Sequence, residues 1–294
     1  MFVDELFIVT AREQTNFSFE PFHVWSDANS NAWCCFYRVE NDYLLRFPDL
    51  ADFKIDAESS QVCCWPAPNT AMATINQLYL NQVVPLVQSR KAKLVFHGGA
   101  IVADNKALAF VGVSGRGKST LTASFSITNF PFLTDDGLLV KLICDDYFVT
   151  PSHPSIRLWD DSQLAVLDPH AKSEVPLDYT TKLRFPANKT MSHHQDLCKL
   201  HRIYFLGDPD AGCTEIKITK LSAQRALVEL IKNSFLLDIE DKKMLTEHFD
   251  ELSKLSLRGL FFELNYPRDY AELANVRAAI LQHAGISGKI AASK

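Results

Sequence analysis

The segment Gly112-Val113-Ser114-Gly115-Arg116-Gly117-Lys118-Ser119-Thr120 constrains this chain more than any other stretch. Its first eight residues match the spacing G-x-x-x-x-G-K-[ST], which a chain of this length meets by chance in about one sequence in a hundred. The glycines let the backbone curl so that successive N–H groups converge on one concavity. A helix starting there adds the positive end of its dipole. In such a loop Lys118 reaches the β- and γ-phosphates of a nucleotide, and the Ser119 hydroxyl ligates Mg²⁺. The required context is present: residues 107–113 are a nearly unbroken apolar run, as in a strand buried on both faces, and residues 119–127 carry a helical pattern. The expected ligands are therefore ATP and Mg²⁺, cradled by Gly112, Ser114, Gly115, Arg116, Gly117, Lys118, Ser119 and Thr120.

Acidic groups are needed next, for metal and for nucleophile activation. Asp135-Asp136 supplies a carboxylate pair at the end of a short apolar strand begun by Phe132 and Leu133. A strand after the loop's helix runs parallel to the loop's own strand by right-handed crossover, so its C-terminal end lies beside the loop. One carboxylate can then hold Mg²⁺, and the other can accept a hydroxyl proton. His97 precedes Gly98-Gly99 on a strand expected to pair with the loop's strand, within reach of a γ-phosphate. A lone histidine near a strand end is as readily a satisfied structural residue.

Composition narrows the remaining classes. Of 294 residues, 47% are hydrophobic and 22% charged, a mix that can bury a large core and lies far from the disordered regime. The 30 Lys+Arg against 35 Asp+Glu leave a net charge of -5, which offers nucleic acid no global attraction. No apolar run approaches the roughly 20 residues that span a bilayer, so no membrane partner is expected. Asp4 and Glu5 stand where a secretory signal carries basic residues, and the seven cysteines include no C-x-x-C spacing. These features predict free thiols, no structural zinc, and a cytoplasmic location.

The chain divides near residue 92. Residues 33–39 and 43–47, with Asn41-Asp42 between them, read as antiparallel strands. Residues 74–88 have helical spacing, with Pro85 expected to end or kink the helix. Residues 1–92 are thus a small β-rich N-terminal module, and 93–287 an α/β part with helices capped by Ser222 and Asp269. The polar, proline-containing segment 167–198 reads as a loop, Ser192-His193-His194-Gln195-Asp196 as its solvated part, and 288–294 as a frayed tail.

Taken together, His97-Gly98, Gly112-x-Ser114-Gly115-x-Gly117-Lys118-Ser119 and Asp135-Asp136 resemble the catalytic domain of bacterial HPr kinase/phosphorylase. That family consists of phosphate-loop serine kinases whose fold is related to ATP-dependent phosphoenolpyruvate carboxykinase. The resemblance covers roughly residues 90–285 and is specific over 96–140. It implies that Lys118 and Ser119 hold nucleotide phosphates and Mg²⁺, that Asp135 is the base toward a serine hydroxyl, that Asp136 assists at the metal, and that His97 lines the γ-phosphate site. It also implies a homo-oligomer.

The chain departs from the family pattern at three places. Thr120 stands where an acidic residue usually follows the loop serine. In Pro154-Ser155-Ile156-Arg157-Leu158-Trp159-Asp160, Ser155 falls where a metal-binding Glu belongs, with Asp160 and Asp161 the nearby carboxylates. Lys182 or Arg184 corresponds to a later arginine of the family. The pattern is more similar to divergent HPr-kinase-related proteins, among which are kinases of ribosomally made precursor peptides, lasso precursors included. The Leu-Asn-Tyr-Pro-Arg268-Asp269-Tyr segment and the β-rich start resemble that branch. The expected function is transfer of the γ-phosphoryl group of ATP to a serine of a peptide or small protein, with residues 1–92 recognising the acceptor. Phosphorylation of HPr, of free serine or of another small hydroxyl metabolite, and nucleotide binding without transfer, remain open at this level.

Overall fold

The computed structural model describes residues 5–15, 19–27, 29–168, 170–174, 177 and 179–286; the expected frayed tail at 288–294 lies outside them. The chain is a mixed α/β structure built around two large sheets. The first contains β1 (Leu6–Val9), β2 (His23–Ser26), β3 (Ala32–Val39), β4 (Asp42–Phe47), β5 (Ala51–Ile55) and β6 (Gln61–Pro66), in the order β1-β6-β5-β4-β3-β2. The expected hairpin is β3–β4, and Glu40 turns it with a φ of 58°. A strand edge is left at β2, which pairs with β3 alone.

A helical stretch follows, composed of α1 (Met72–Leu78), a π-helical turn at Tyr79–Val83, and α2 (Val84–Arg90). Pro85 does not end this helix, because the chain stays helical through it. The Val84 N–H reaches back to the Tyr79 carbonyl in the wider turn, and Pro85 enters at the start of α2, where its missing N–H leaves no ladder bond broken. Such wide turns recur at functional positions, and this one presents Asn81 and Gln82 to the site described below.

The second sheet is assembled from β7 (Leu94–Ala103), β8 (Lys106–Val111), β9 (Phe132–Thr134), β10 (Gly137–Ile143) and β11 (Asp146–Thr150), joined after the small hairpin β12 (Ser155–Leu158) and β13 (Leu183–Pro186) by β14 (Cys198–Leu206), β15 (Lys217–Lys220) and β16 (Phe261–Asn265). Its helices are α3 (Lys118–Ser126), α4 (Asp160–Val166), α5 (Ala223–Asn233), α6 (Lys242–Ser256) and α7 (Leu273–His283). Residues 107–111 of β8 are fully buried, matching their unbroken apolar run, because β7 and β14 flank the strand while helices cover the sheet. Ser222 and Asp269 accept N–H bonds from Arg225 and Ala271, as caps do.

The segment 167–198, expected to be an open loop, carries β13, which pairs in register with β12 from Ser155–Pro186 to Leu158–Leu183. Phe185 is buried by this pairing, an apolar contribution that the polar composition around it concealed. All seven cysteines are free, and among the described residues no helix is long and apolar enough to cross a membrane.

The two sheets share a core. Val95, Leu139, Phe235 and Leu237 pack into the cluster of Phe36, Phe47, Phe53 and Leu86. An ion pair to a buried carboxylate fastens the junction: Arg38 donates to both carboxylate oxygens of Asp238 at 2.7 Å, and the Tyr43 hydroxyl donates to Asp238 at 2.8 Å. Burial opposes ionisation of Asp238, but these donors overcome it and hold its carboxyl down to about 2. Arg38→Ala is expected to cost about 1–3 kcal/mol, read as a lower urea midpoint, since Arg38 is partly exposed while Asp238 would stay buried. Because the folded carboxyl titrates below the unfolded one, this contribution is present above about pH 4 and is lost as pH falls toward 2.

Candidate functional site

Strand register assembles the site. Strand β7 lies between β8 on one side and β9 with β10 on the other, antiparallel to all three. So β9 does run parallel to the loop's strand, as crossover reasoning requires, but β7 is interposed between them. His97 pairs with Gly137, the residue after Asp136, and its carbonyl accepts from the Gly112 N–H at 3.3 Å. One strand thus brings the glycine loop, His97 and the two carboxylates together.

The glycines of β7 and the loop each have a structural reason. A Cβ on Gly99 would lie 2.5 Å from the Thr122 hydroxyl, so only glycine lets α3 pack onto β7 there. Gly117 adopts a φ of +81° immediately before α3, and a Cβ there would meet the Tyr266 hydroxyl at 3.1 Å and Arg268 Nη1 at 3.2 Å. Gly117→Ala is expected to cost about 1–2 kcal/mol through the left-handed backbone alone, read by thermal unfolding, and to displace Arg268 from the Arg116 carbonyl it now donates to at 2.8 Å.

A cavity of about 790 Å³ opens over the loop. Ser114, Gly115, Gly117, Lys118, Ser119 and Thr120 line it, together with His97 and Asp136. Lys118 sits in the first turn of α3, and its Nζ donates to the Val113 carbonyl at 2.9 Å. Burial pulls its ammonium down to about 8, so a bound anion would restore the lost solvation. Thr120 donates to Ser162 Oγ at 3.0 Å, and Ser162 pairs with the Tyr270 hydroxyl at 3.1 Å. Two residues of the expected cradle point elsewhere. Gly112 and the Arg116 side chain line a separate recess of about 150 Å³, where Arg116 donates to the Leu206 carbonyl at 2.9 Å.

The two carboxylates have different environments. Asp136 has a φ of +67°, an uncommon conformation for a residue with a side chain, and its Oδ2 accepts from Arg157 Nε at 2.7 Å and Asn81 Nδ2 at 3.3 Å. Burial would raise its pKa, but the field of Arg157, Lys182, His97 and Lys118 prevails and holds it well below the ordinary carboxylate range. Asp135 accepts the Arg157 N–H at 3.0 Å through Oδ2, while its Oδ1 is buried and unpartnered. Burial, then the charge of Asp136, pushes Asp135 up to about 6. It lines a second cavity of about 400 Å³, shared with Asp136, Asn81, His153 and Gln195. The pair therefore stands as a wall between the two cavities, one carboxylate ionised and the other poised near neutrality.

His97 packs against Phe235, ring centroids 4.5 Å apart, and its Nδ1 has no partner. Burial and the nearby Lys118 lower it to about 4, so it is neutral at pH 7 and has a ring nitrogen to spare. The departures from the family pattern are also resolved in space. Ser155 accepts from Arg184 at 2.7 Å, and Arg184 also reaches His153 and Glu174, away from the large cavity. Lys182, in contrast, lines that cavity with its ammonium over the Trp159 ring. Asp161 accepts from Tyr270 at 2.8 Å on the cavity wall. His193 donates through Nε2 to the Leu133 carbonyl, 3.1 Å away, so it belongs to the packing around β9.

Sequence reasoning gave no site role to Arg157, Asn81, Trp25, Trp33 or Phe235. Only Arg157 carried a local signal, its place within the segment after Pro154.

The chain matches no known family model and no curated protein. Among solved structures it is similar to the Hpr(Ser) kinase/phosphatase from Coxiella burnetii, with 10% sequence identity and a TM-score of 0.32, over 66% of this chain and 99% of that one.

Proposed function

We propose that this protein is an ATP- and Mg²⁺-dependent kinase that transfers the γ-phosphoryl group to a serine hydroxyl of a peptide or small protein in the cytoplasm. The observation that carries this reading is a cavity lined by a buried lysine at a helix N-terminus and an unpartnered imidazole, with a carboxylate pair of divergent proton affinities standing between it and a second cavity. The division into a catalytic part from residue 93 and an acceptor-recognition module before it belongs to the same proposal.

The residues present fit the ligands. Backbone N–H groups of the loop and the Lys118 ammonium suit nucleotide phosphates. Mg²⁺ takes one or two carboxylates, a hydroxyl, water and substrate phosphates. Ser119 and Asp136 would supply the protein ligands. When bound, Mg²⁺ neutralises charge developing on the phosphoryl oxygens. Asp135, ionised above about pH 6, takes the proton from the attacking hydroxyl. Neutral His97 donates a hydrogen bond to the γ-phosphoryl group, and Lys118 and Lys182 balance its charge. With free enzyme, kcat/KM should rise through about pH 6 as Asp135 ionises and fall above about pH 8 as Lys118 loses its proton. A pH profile flat between 5 and 9 would contradict these roles.

A second reading has its own observation. The Asp136–Arg157 ion pair, 2.5 Å long, occupies the carboxylate meant for metal, and Ser155 replaces the family's acidic ligand. A nucleotide-binding regulator without transferase activity would tolerate both. Prolonged incubation that yields no ADP and no labelled peptide, despite tight ATP binding, selects that reading.

A further inference from the structure

The large cavity extends well beyond the glycine loop. On one side it is bounded by Tyr266, Arg268 and Tyr270, whose bonds run to the loop and to Thr120 through Ser162. On the other side, past His97, its wall belongs to the six-stranded sheet. There Trp25 lies 6.4 Å from Phe235, which in turn packs on His97, and Trp33 lies 5.2 Å from Tyr179. Trp25 and Trp33 each pack edge-on against the sheet's core, at Phe36 and Phe47, and each remains half-buried, with surface left to the cavity. Two indoles that face the large cavity form a platform for an apolar or planar group.

Two further observations define what fits. Ser26 and Gln82 line the same region, offering a hydroxyl and an amide to a polar backbone. Trp25 and Ser26 lie on β2, the terminal strand of its sheet, and no strand pairs with its outer edge among the described residues. An open strand edge beside a cavity supplies main-chain hydrogen bonds to an extended segment. Charge sets a second filter. Lys118, Arg157, Lys182, Lys232 and Arg268 outnumber the carboxylates Asp136, Asp161 and Asp269 around the cavity, which disfavours a cationic neighbour to the acceptor hydroxyl.

We propose that Trp25 and Trp33, with the edge of β2, form the acceptor site, and that its ligand is an extended peptide with an apolar or aromatic side chain beside the phosphorylated serine. The proposal rests on the kinase reading and gives the first 92 residues a chemical task. It places the acceptor hydroxyl beside His97 and the Asp135-Asp136 pair that separates the two cavities, on the side opposite the nucleoside.

The test uses the full chain loaded with ATP and Mg²⁺ and short synthetic serine peptides that differ only in the flanking residue, Phe, Ala or Lys. Calorimetry gives the affinities, and intact mass of the same samples gives phosphoryl transfer. The Phe peptide is expected to bind about tenfold tighter than the Lys peptide. Trp33→Ala and Trp25→Ala should each weaken the Phe peptide by about tenfold, Trp33→Phe should retain most of the affinity, and ATP affinity reports that each variant is folded. Equal affinity of the Phe and Lys peptides for the unaltered chain overturns the proposal without recourse to any variant. So does the absence of peptide binding, or binding indifferent to both tryptophans. Tryptophan-dependent binding without phosphoryl transfer would leave the aromatic site standing and remove the kinase assignment.

Discussion

Asp135→Asn is expected to slow phosphoryl transfer by about 10²–10⁴-fold while leaving ATP affinity unchanged. The amide keeps the acceptor bond from the Arg157 N–H but cannot take a hydroxyl proton. The substitution should also stabilise the fold at neutral pH. Burial and Asp136 raise the carboxyl from 3.8 to about 6, so between those values the unfolded chain releases a proton that the folded chain retains. Stability therefore falls as pH rises through that window, and removing the carboxyl removes the penalty. A variant less active and more heat-resistant at pH 7.5, with the stability difference closing below pH 4, is the combined signature. An undiminished mass gain of one phosphoryl group on the peptide would show that Asp135 is not the base.

Lys118→Ala is expected to abolish the stabilisation that ATP confers. At an ATP concentration about a hundredfold above Kd, binding should add about 2.7 kcal/mol to the wild-type fold, or about 5 °C in Tm. The variant should show no shift, because the loop would retain its N–H groups but lose the ammonium at the start of α3. Without nucleotide its Tm should be equal to or above that of the wild type, since burial of Lys118 is costly enough to pull its ammonium down to about 8. A persistent shift with ATP would remove Lys118 from the nucleotide site.

The parts of this architecture that were legible in sequence are those set by neighbours along the chain. The apolar run of β8, the loop glycines and α3 form one continuous signal, and Ser222 and Asp269 cap helices through bonds to residues two or three positions away. The remainder depends on register and on pairing between distant segments. His97 meets Asp136 because β7 and β10 pair at Gly137, and nothing within either strand specifies that alignment. Arg157 becomes the partner of Asp136 only once the β12–β13 hairpin is folded, and β13 was hidden in a polar stretch. Pro85 does not end its helix because a π-helical turn precedes it and places it at the start of α2. Trp25 and Trp33 read as ordinary residues of a β-rich start, and their place in the large cavity follows from packing between the two sheets.

Purified protein incubated with ATP, Mg²⁺ and a serine peptide flanked by phenylalanine, followed by intact-mass analysis of the peptide, should show the gain of one phosphoryl group located on serine. The gain should require Mg²⁺ and vanish in Lys118→Ala. A peptide of unchanged mass after complete equilibration with protein that demonstrably binds ATP would contradict the account.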